Sequence, residues 1–231
     1  MKQQSILLFI LLLFSLSACG GEGKGAHKGK RSGGDNSTIV DDAINLPKST
    51  LTPEIEESIA YMYSEEKLAR ELYLNLYALF GIKQLYNIPN NSEIEHVDAM
   101  NRLAIKYDLN ITQYPETMPP YDALSLAQYG NGQFPVEEVQ SLYDILYDKG
   151  MQSQEDALAV GCMVEVTDVE DLNRYLALTS DAPDVVEIFN FLRDGSYNHY
   201  WAFDKGLKDR GVSEGCCGVG EEYCHPEYPE D

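Results

Sequence analysis

Residues 61–77 read YMYSEEKLARELYLNLY. Counting outward from this stretch in steps of four and three connects Ile55, Ile59, Met62, Glu66, Ala69, Tyr73, Leu76 and Phe80, the spacing of one face of an α-helix. One member of that apolar stripe, Glu66, is a carboxylate. Thr52-Pro53 ahead of the stripe is a cap followed by proline at the first helical position, and Gly81 behind it is a stop, so a helix is predicted over 53–80.

The same stepping predicts three more long helices. A second over 92–107, capped by Ser92, carries Glu93, His96, Met100, Leu103 and Tyr107 on its face. A third over 153–178 carries Leu158, Gly161, Glu165, Asp168, Leu172 and Tyr175, and a fourth over 183–208 carries Val185, Phe189, Leu192, Ser196, His199 and Phe203. Between the second and third lies a crossover of about thirty residues containing Pro115, Pro119, Pro120 and Gly132, too broken for a long helix. A short amphipathic helix over 136–148 follows it. No stretch alternates as a strand does. The expected class is all-α: a ferritin-like four-helix bundle with a long crossover, containing a short extra helix, between the second and third bundle helices.

The composition, 44% hydrophobic and 24% charged over 231 residues, excludes a mostly disordered chain. With 38 acidic against 17 basic residues the net charge is −21, which repels phosphate backbones and leaves nucleic-acid binding without electrostatic support. Metal ions are the natural partners. Glu66, Glu93, Glu165 and Asp168 gathered in a dry interior would repel one another, and an unpaired buried carboxylate costs several kcal/mol. The stripes contain no Lys or Arg to offset this. Two divalent cations would, with His96 and His199 as neutral ligands. Glu93 and His96 are three apart, so both side chains fall on one face and can take adjacent coordination positions. Tyr63 and Tyr73 flank Glu66 at helical spacing, where they serve as core, hydrogen-bond a ligand or pass electrons. Glu65, Glu71, Glu95 and Asp98 fall off the stripe and read as solvated faces.

The N-terminus is a separate matter. Residues 1–18 have Lys2 ahead of an apolar run too short for a comfortable membrane span, which marks a secretion signal. The run closes in Leu16-Ser17-Ala18-Cys19, which resembles the lipobox of bacterial lipoproteins. That resemblance implies cleavage before Cys19, acylation there and anchoring to a bacterial cell membrane, with the folded part outside the cytoplasm. Residues 19–52, rich in Gly and Lys/Arg, are expected to be a flexible tether reaching about 30 Å. The bundle is expected over 53–212 and an acidic, cysteine-containing tail over 213–231.

Glu66-Lys67-Leu68-Ala69-Arg70-Glu71-Leu72-Tyr73 resembles the Glu-x-x-Ala-Arg-x-x-Tyr segment of the first rubrerythrin helix, and Glu93-Ile94-Glu95-His96 resembles the Glu-x-x-His of its second. The stretch from Tyr61 to about Lys208 is similar to a bacterial and archaeal ferritin-like family of undetermined function related to rubrerythrin. The resemblance implies Glu66, Glu93, His96, Glu165 and His199 as metal ligands, iron (a di-iron pair favoured) or manganese as cofactor, and peroxide or dioxygen as substrate. The chain departs from rubrerythrin at two positions: Asp168 stands where a glutamate is expected, and Ser196 stands where the fourth helix would supply a carboxylate.

With Cys19 lipidated, four cysteines remain. Cys162 reads as a small core residue, and Cys216 or Cys217 is expected to bridge to Cys224. The chain lacks the paired Cys-x-x-Cys motifs of a rubredoxin-like module, so an external electron donor is expected. Two classes of function stay open: a di-metal oxidoreductase, and a non-catalytic metal-binding or structural lipoprotein with a degenerate site.

Overall fold

The computed structural model describes residues 36–109, 131–134 and 137–230, within a compact unit spanning Asp35–Asp231. Cys19, the signal, the first part of the tether and most of the crossover lie outside the described residues. The protein is all-helical, and among the described residues no strand forms. Its helices are α1 (Asn36–Asn45), α2 (Pro53–Phe80), α3 (Lys83–Ile88), α4 (Ile94–Tyr107), α5 (Glu137–Gly150), α6 (Gln154–Leu176) and α7 (Pro183–Lys208). None of these is long and apolar enough to cross a membrane.

Local chemistry sets most of the ends. Thr52 has extended backbone and its hydroxyl accepts from Ile55 N at 3.4 Å. Pro53 occupies the first turn of α2, where its missing N–H costs nothing. At the other end Gly81 adopts φ 65° and its N–H caps Tyr77 O, a left-handed conformation that glycine enters without steric penalty. Ser153 caps α6 by accepting from Asp156 N at 2.9 Å.

The helix carrying Glu93 and His96 begins earlier than the expected Ser92 cap. α3 runs through a π-helical turn, Pro89–Glu93, directly into α4. Pro89 removes one i→i−4 hydrogen bond, and a wide turn absorbs that defect without ending the helix. Leu85 and Ile88, both buried, hold α3 onto the core.

Part of the expected tether is also ordered. Residues 36–45 form α1, whose Val40 and Ala43 are buried and which packs on α7 and α4. Arg102 Nη2 donates to Asp41 Oδ1 at 2.6 Å across that contact. The segment after α1 is tied down by Asp184, at the start of α7. Its carboxylate accepts from Ser49 Oγ at 2.7 Å and from the Tyr107 hydroxyl, and pairs with Lys106 Nζ at 2.6 Å.

The core lies between α2, α4, α6 and α7, where Leu72, Leu103, Leu158 and Leu192 are fully buried. The tail folds back on α7 through Cys216 N donating to Asp204 Oδ1 at 3.0 Å and the Tyr200 hydroxyl donating to Tyr223 O at 3.0 Å. Cys162 is not a plain core residue. It forms a disulfide with Cys216, while the adjacent Cys217 pairs with Cys224. The register of the tail against α6 decides this pairing, and no local signal carries it.

Candidate metal centre

The polar residues that interrupt the stripes converge. Glu66 comes from α2, Glu93 from the end of the π turn, His96 from α4, Glu165 and Asp168 from α6, and Ser196 and His199 from α7; all are buried. Atoms of Glu66, His96, Glu93, His199 and Glu165 form a continuous chain. His96 Nδ1 lies 3.1 Å from Glu66 Oε2 and 3.2 Å from Glu93 Oε2. His199 Nδ1 lies 2.9 Å from Glu93 Oε1 and 3.3 Å from Glu165 Oε2. Glu93 therefore stands between the two imidazoles with one oxygen on each. Ligand atoms of Glu93, His96 and His199 lie within 4.8 Å of one another.

Several of these close approaches are not aligned as hydrogen bonds. Glu66 Oε1, Glu93 Oε2, Asp168 Oδ1 and His199 Nδ1 are buried and have no hydrogen-bond partner. Buried polar atoms are nearly always satisfied, and four orphans in one cluster of ligand-type residues fit a cation that binds them. Tyr73 adds a fixed contact, its hydroxyl donating to Glu165 Oε1 at 2.6 Å. The Ser196 hydroxyl donates to Asp168 Oδ2, in a contact shorter than an ordinary hydrogen bond, and lies 3.1 Å from Leu192 O. Tyr63 is buried among the core residues.

Without a cation, protons must balance the cluster. Burial, reinforced by Asp168 and Glu93, pushes the Glu66 carboxyl well above the usual range. Burial also raises Glu165 against the opposing pull of His199, and lifts Asp168 to about 8 although the Ser196 hydroxyl acts the other way. Burial favours the neutral ring of His199, but Glu165 and Glu93 outweigh it and raise the imidazole to about 10. His96 moves upward as well, burial being overcome chiefly by Glu93. At Glu93 itself burial is outweighed by His199 and His96, which hold its carboxyl well below the usual range. Positive charge is thus drawn onto both imidazoles, beside carboxylates that a metal would neutralise in their place.

Gly195, which has no side chain to mark it on the apolar stripe of α7, also shapes the site. A Cβ on this residue would fall 2.4 Å from His96 Nε2 and 2.6 Å from its Cε1, so the α7 backbone pins the ring and leaves Nδ1 facing the carboxylates. Gly195→Ala is expected to cost about 1–3 kcal/mol through overpacking and to weaken metal binding about 10–100-fold by turning His96. Denaturant unfolding and metal titration check this; unchanged affinity would show that the ring is not pinned.

Two carboxylates expected on solvated faces are not there. Glu71 is buried and accepts from Lys67 Nζ at 2.8 Å and from Gly132 N at 2.7 Å, fastening the end of the crossover to α2. Glu65 is half-buried, and burial together with Asp171 and Asp168 raises its carboxyl well above the usual range. Both positions face neighbours distant in sequence, which helical phase cannot reveal. Glu95 is half-buried and Asp98 exposed.

Comparison with known proteins adds a relative and a family. An uncharacterized protein of Methanocaldococcus jannaschii, MJ0754, is 35% identical over 167 residues, covering 72% of this chain and 82% of the relative. The crystal structure of that hypothetical protein superposes with a TM-score of 0.62 at 34% identity, covering 72% of this chain and 87% of the other. Residues 55–219, which hold the whole polar cluster, match the family described as uncharacterized protein domain DUF2202, and the chain belongs to that family.

Proposed function

We propose that the chain is a ferritin-like metalloprotein, related to rubrerythrin, whose buried cluster holds two transition-metal ions and acts as an oxidoreductase on peroxide or dioxygen. The observation that carries this reading is the set of orphaned buried ligand atoms on Glu66, Glu93, Asp168 and His199. Glu66, Glu93 and His96 would hold one ion and Glu93, Glu165 and His199 the other, because Glu93 places Oε2 beside His96 and Oε1 beside His199. The mixed carboxylate and imidazole set favours iron or manganese over zinc. Ions bound there would supply Lewis acidity and one-electron redox chemistry. The chain's own residues do the rest: Tyr73 holds its hydroxyl proton toward Glu165 Oε1, with the two oxygens 2.6 Å apart, and the packed helices exclude water. The missing Cys-x-x-Cys motifs call for an external electron donor.

The setting we propose is a bacterial membrane surface outside the cytoplasm, with anchoring through a lipidated Cys19. Two disulfides support an oxidising compartment. A second reading, a non-catalytic metal-binding or structural lipoprotein, is favoured by Ser196, whose hydroxyl ties Asp168 and brings no carboxylate.

Loading with ferrous iron followed by elemental analysis tests the metal reading. About one to two equivalents are expected, with affinity falling as pH drops because protons on the imidazoles and carboxyls compete. Retention below about a tenth of an equivalent would sink it. Stopped-flow oxidation then separates the two functions: faster oxidation by peroxide than by air-saturated buffer supports the oxidoreductase, and a rate equal to that of free ferrous ion supports the structural alternative.

A further inference from the structure

The buried cluster has a connection to the surface that coordination does not require. Tyr73 is fully buried and donates its hydroxyl proton to Glu165 Oε1 at 2.6 Å. One helical turn further along α2, about 6 Å along the axis, Tyr77 stands on the same face. Its ring lies 5.0 Å from that of Tyr86 on α3, and Tyr86 is 48% exposed. Phe203, whose ring lies 5.0 Å from that of Tyr73, has no readily oxidised hydroxyl. Tyr73, Tyr77 and Tyr86 thus give a succession of oxidisable rings from Glu165 to an exposed side chain.

We infer that Tyr73, Tyr77 and Tyr86 form an electron relay between the buried centre and a one-electron donor at the surface. This rests on the metal reading above and adds to it the route by which reductant reaches the site. Loss of an electron makes a phenol strongly acidic, so a buried tyrosine can be oxidised only if a base receives its proton, and Glu165 Oε1 is in place to do so. In the relay Tyr73 passes one electron to the oxidised centre and its proton to Glu165, becoming a neutral phenoxyl radical. An electron from Tyr77 then returns Tyr73 to the phenol as Glu165 gives the proton back. Tyr77, half-buried, and Tyr86, exposed, release their own protons to solvent when oxidised and regain them when reduced, and a donor such as ascorbate restores Tyr86. Two electrons delivered this way, with two protons taken from solvent, convert one hydrogen peroxide to two waters.

The test uses the full-length chain loaded with ferrous iron, assayed for iron, mixed with hydrogen peroxide and freeze-quenched for electron paramagnetic resonance. The wild type is expected to show a phenoxyl radical, and Tyr73→Phe to lose it while retaining iron. Tyr77→Phe should keep the radical but slow its quenching by ascorbate about tenfold, equivalent to about 1.4 kcal/mol in barrier, and Tyr77→Trp should restore the rate because indole is oxidisable. Tyr61→Phe, outside the column, should match the wild type. Retained iron with no radical, or an equal radical in Tyr73→Phe, overturns the relay and leaves the metal reading standing. A wild-type chain that retains no iron overturns both.

Discussion

Glu93→Ala is expected to lower metal affinity by more than about a hundredfold, because even residues that only orient ligands are worth about 10–100-fold and Glu93 serves both halves of the cluster. Its two oxygens lie 2.9 Å from His199 Nδ1 and 3.2 Å from His96 Nδ1. Removing them separates the two imidazoles and leaves Glu66 and Glu165 on opposite sides with nothing shared. Glu93→Gln keeps the shape and loses the charge, so it should fail nearly as badly while circular dichroism shows an intact fold. Glu95→Ala is the control on the same helix. That side chain projects about 160–200° away around the axis and should leave metal retention nearly unchanged. Equal losses in Glu93→Ala and Glu95→Ala would remove Glu93 from the centre.

Deleting the disulfide between Cys162 and Cys216 is expected to cost more stability than deleting the one between Cys217 and Cys224. The first closes a loop with a sequence separation of 54, the second one of 7. In the chain-entropy account the long loop is worth about 4 kcal/mol and the short one about 2.5 kcal/mol. The long bridge also joins the tail to α6 one turn before Glu165, so its loss frees the tail and loosens a helix that carries two of the acidic residues of the site. Urea unfolding of Cys162→Ala/Cys216→Ala against Cys217→Ala/Cys224→Ala measures both. A smaller loss in the first variant would show that the noncovalent contacts of Tyr200 and Asp204 with the tail already hold it.

The legible part of this protein is what helical phase reports. Glu66, Glu93, His96, Glu165, Asp168, Ser196 and His199 stood on apolar stripes, and the structure buries every one of them and brings them together. The bounds of α2 and α7 were legible because Thr52-Pro53, Gly81 and Pro183 act within one turn. The start of the second long helix was hidden because Pro89-Asn90-Asn91-Ser92 reads locally as a break, yet the packing of Leu85 and Ile88 carries the helix through it as a π turn. α1 was hidden by a flanking composition typical of linkers.

The remaining features depend on how one helix is set against another. Gly195 matters only because α7 presses its backbone on His96, and Glu71 is buried only because Gly132 returns to α2. Cys162 faces Cys216 because the tail lies against α7, with Cys216 N bonded to Asp204 and His225 N to Tyr200. Sequence by itself determined which face of each long helix turns inward and which ligand-type residues ride on it, since a period of 3.6 residues is a local property of the chain. Tertiary structure alone decided that Glu93 lies between the two imidazoles, that Ser196 ties Asp168, and which cysteines pair, since these depend on the axial offset and rotation of neighbouring helices, set by packing between residues far apart in the chain.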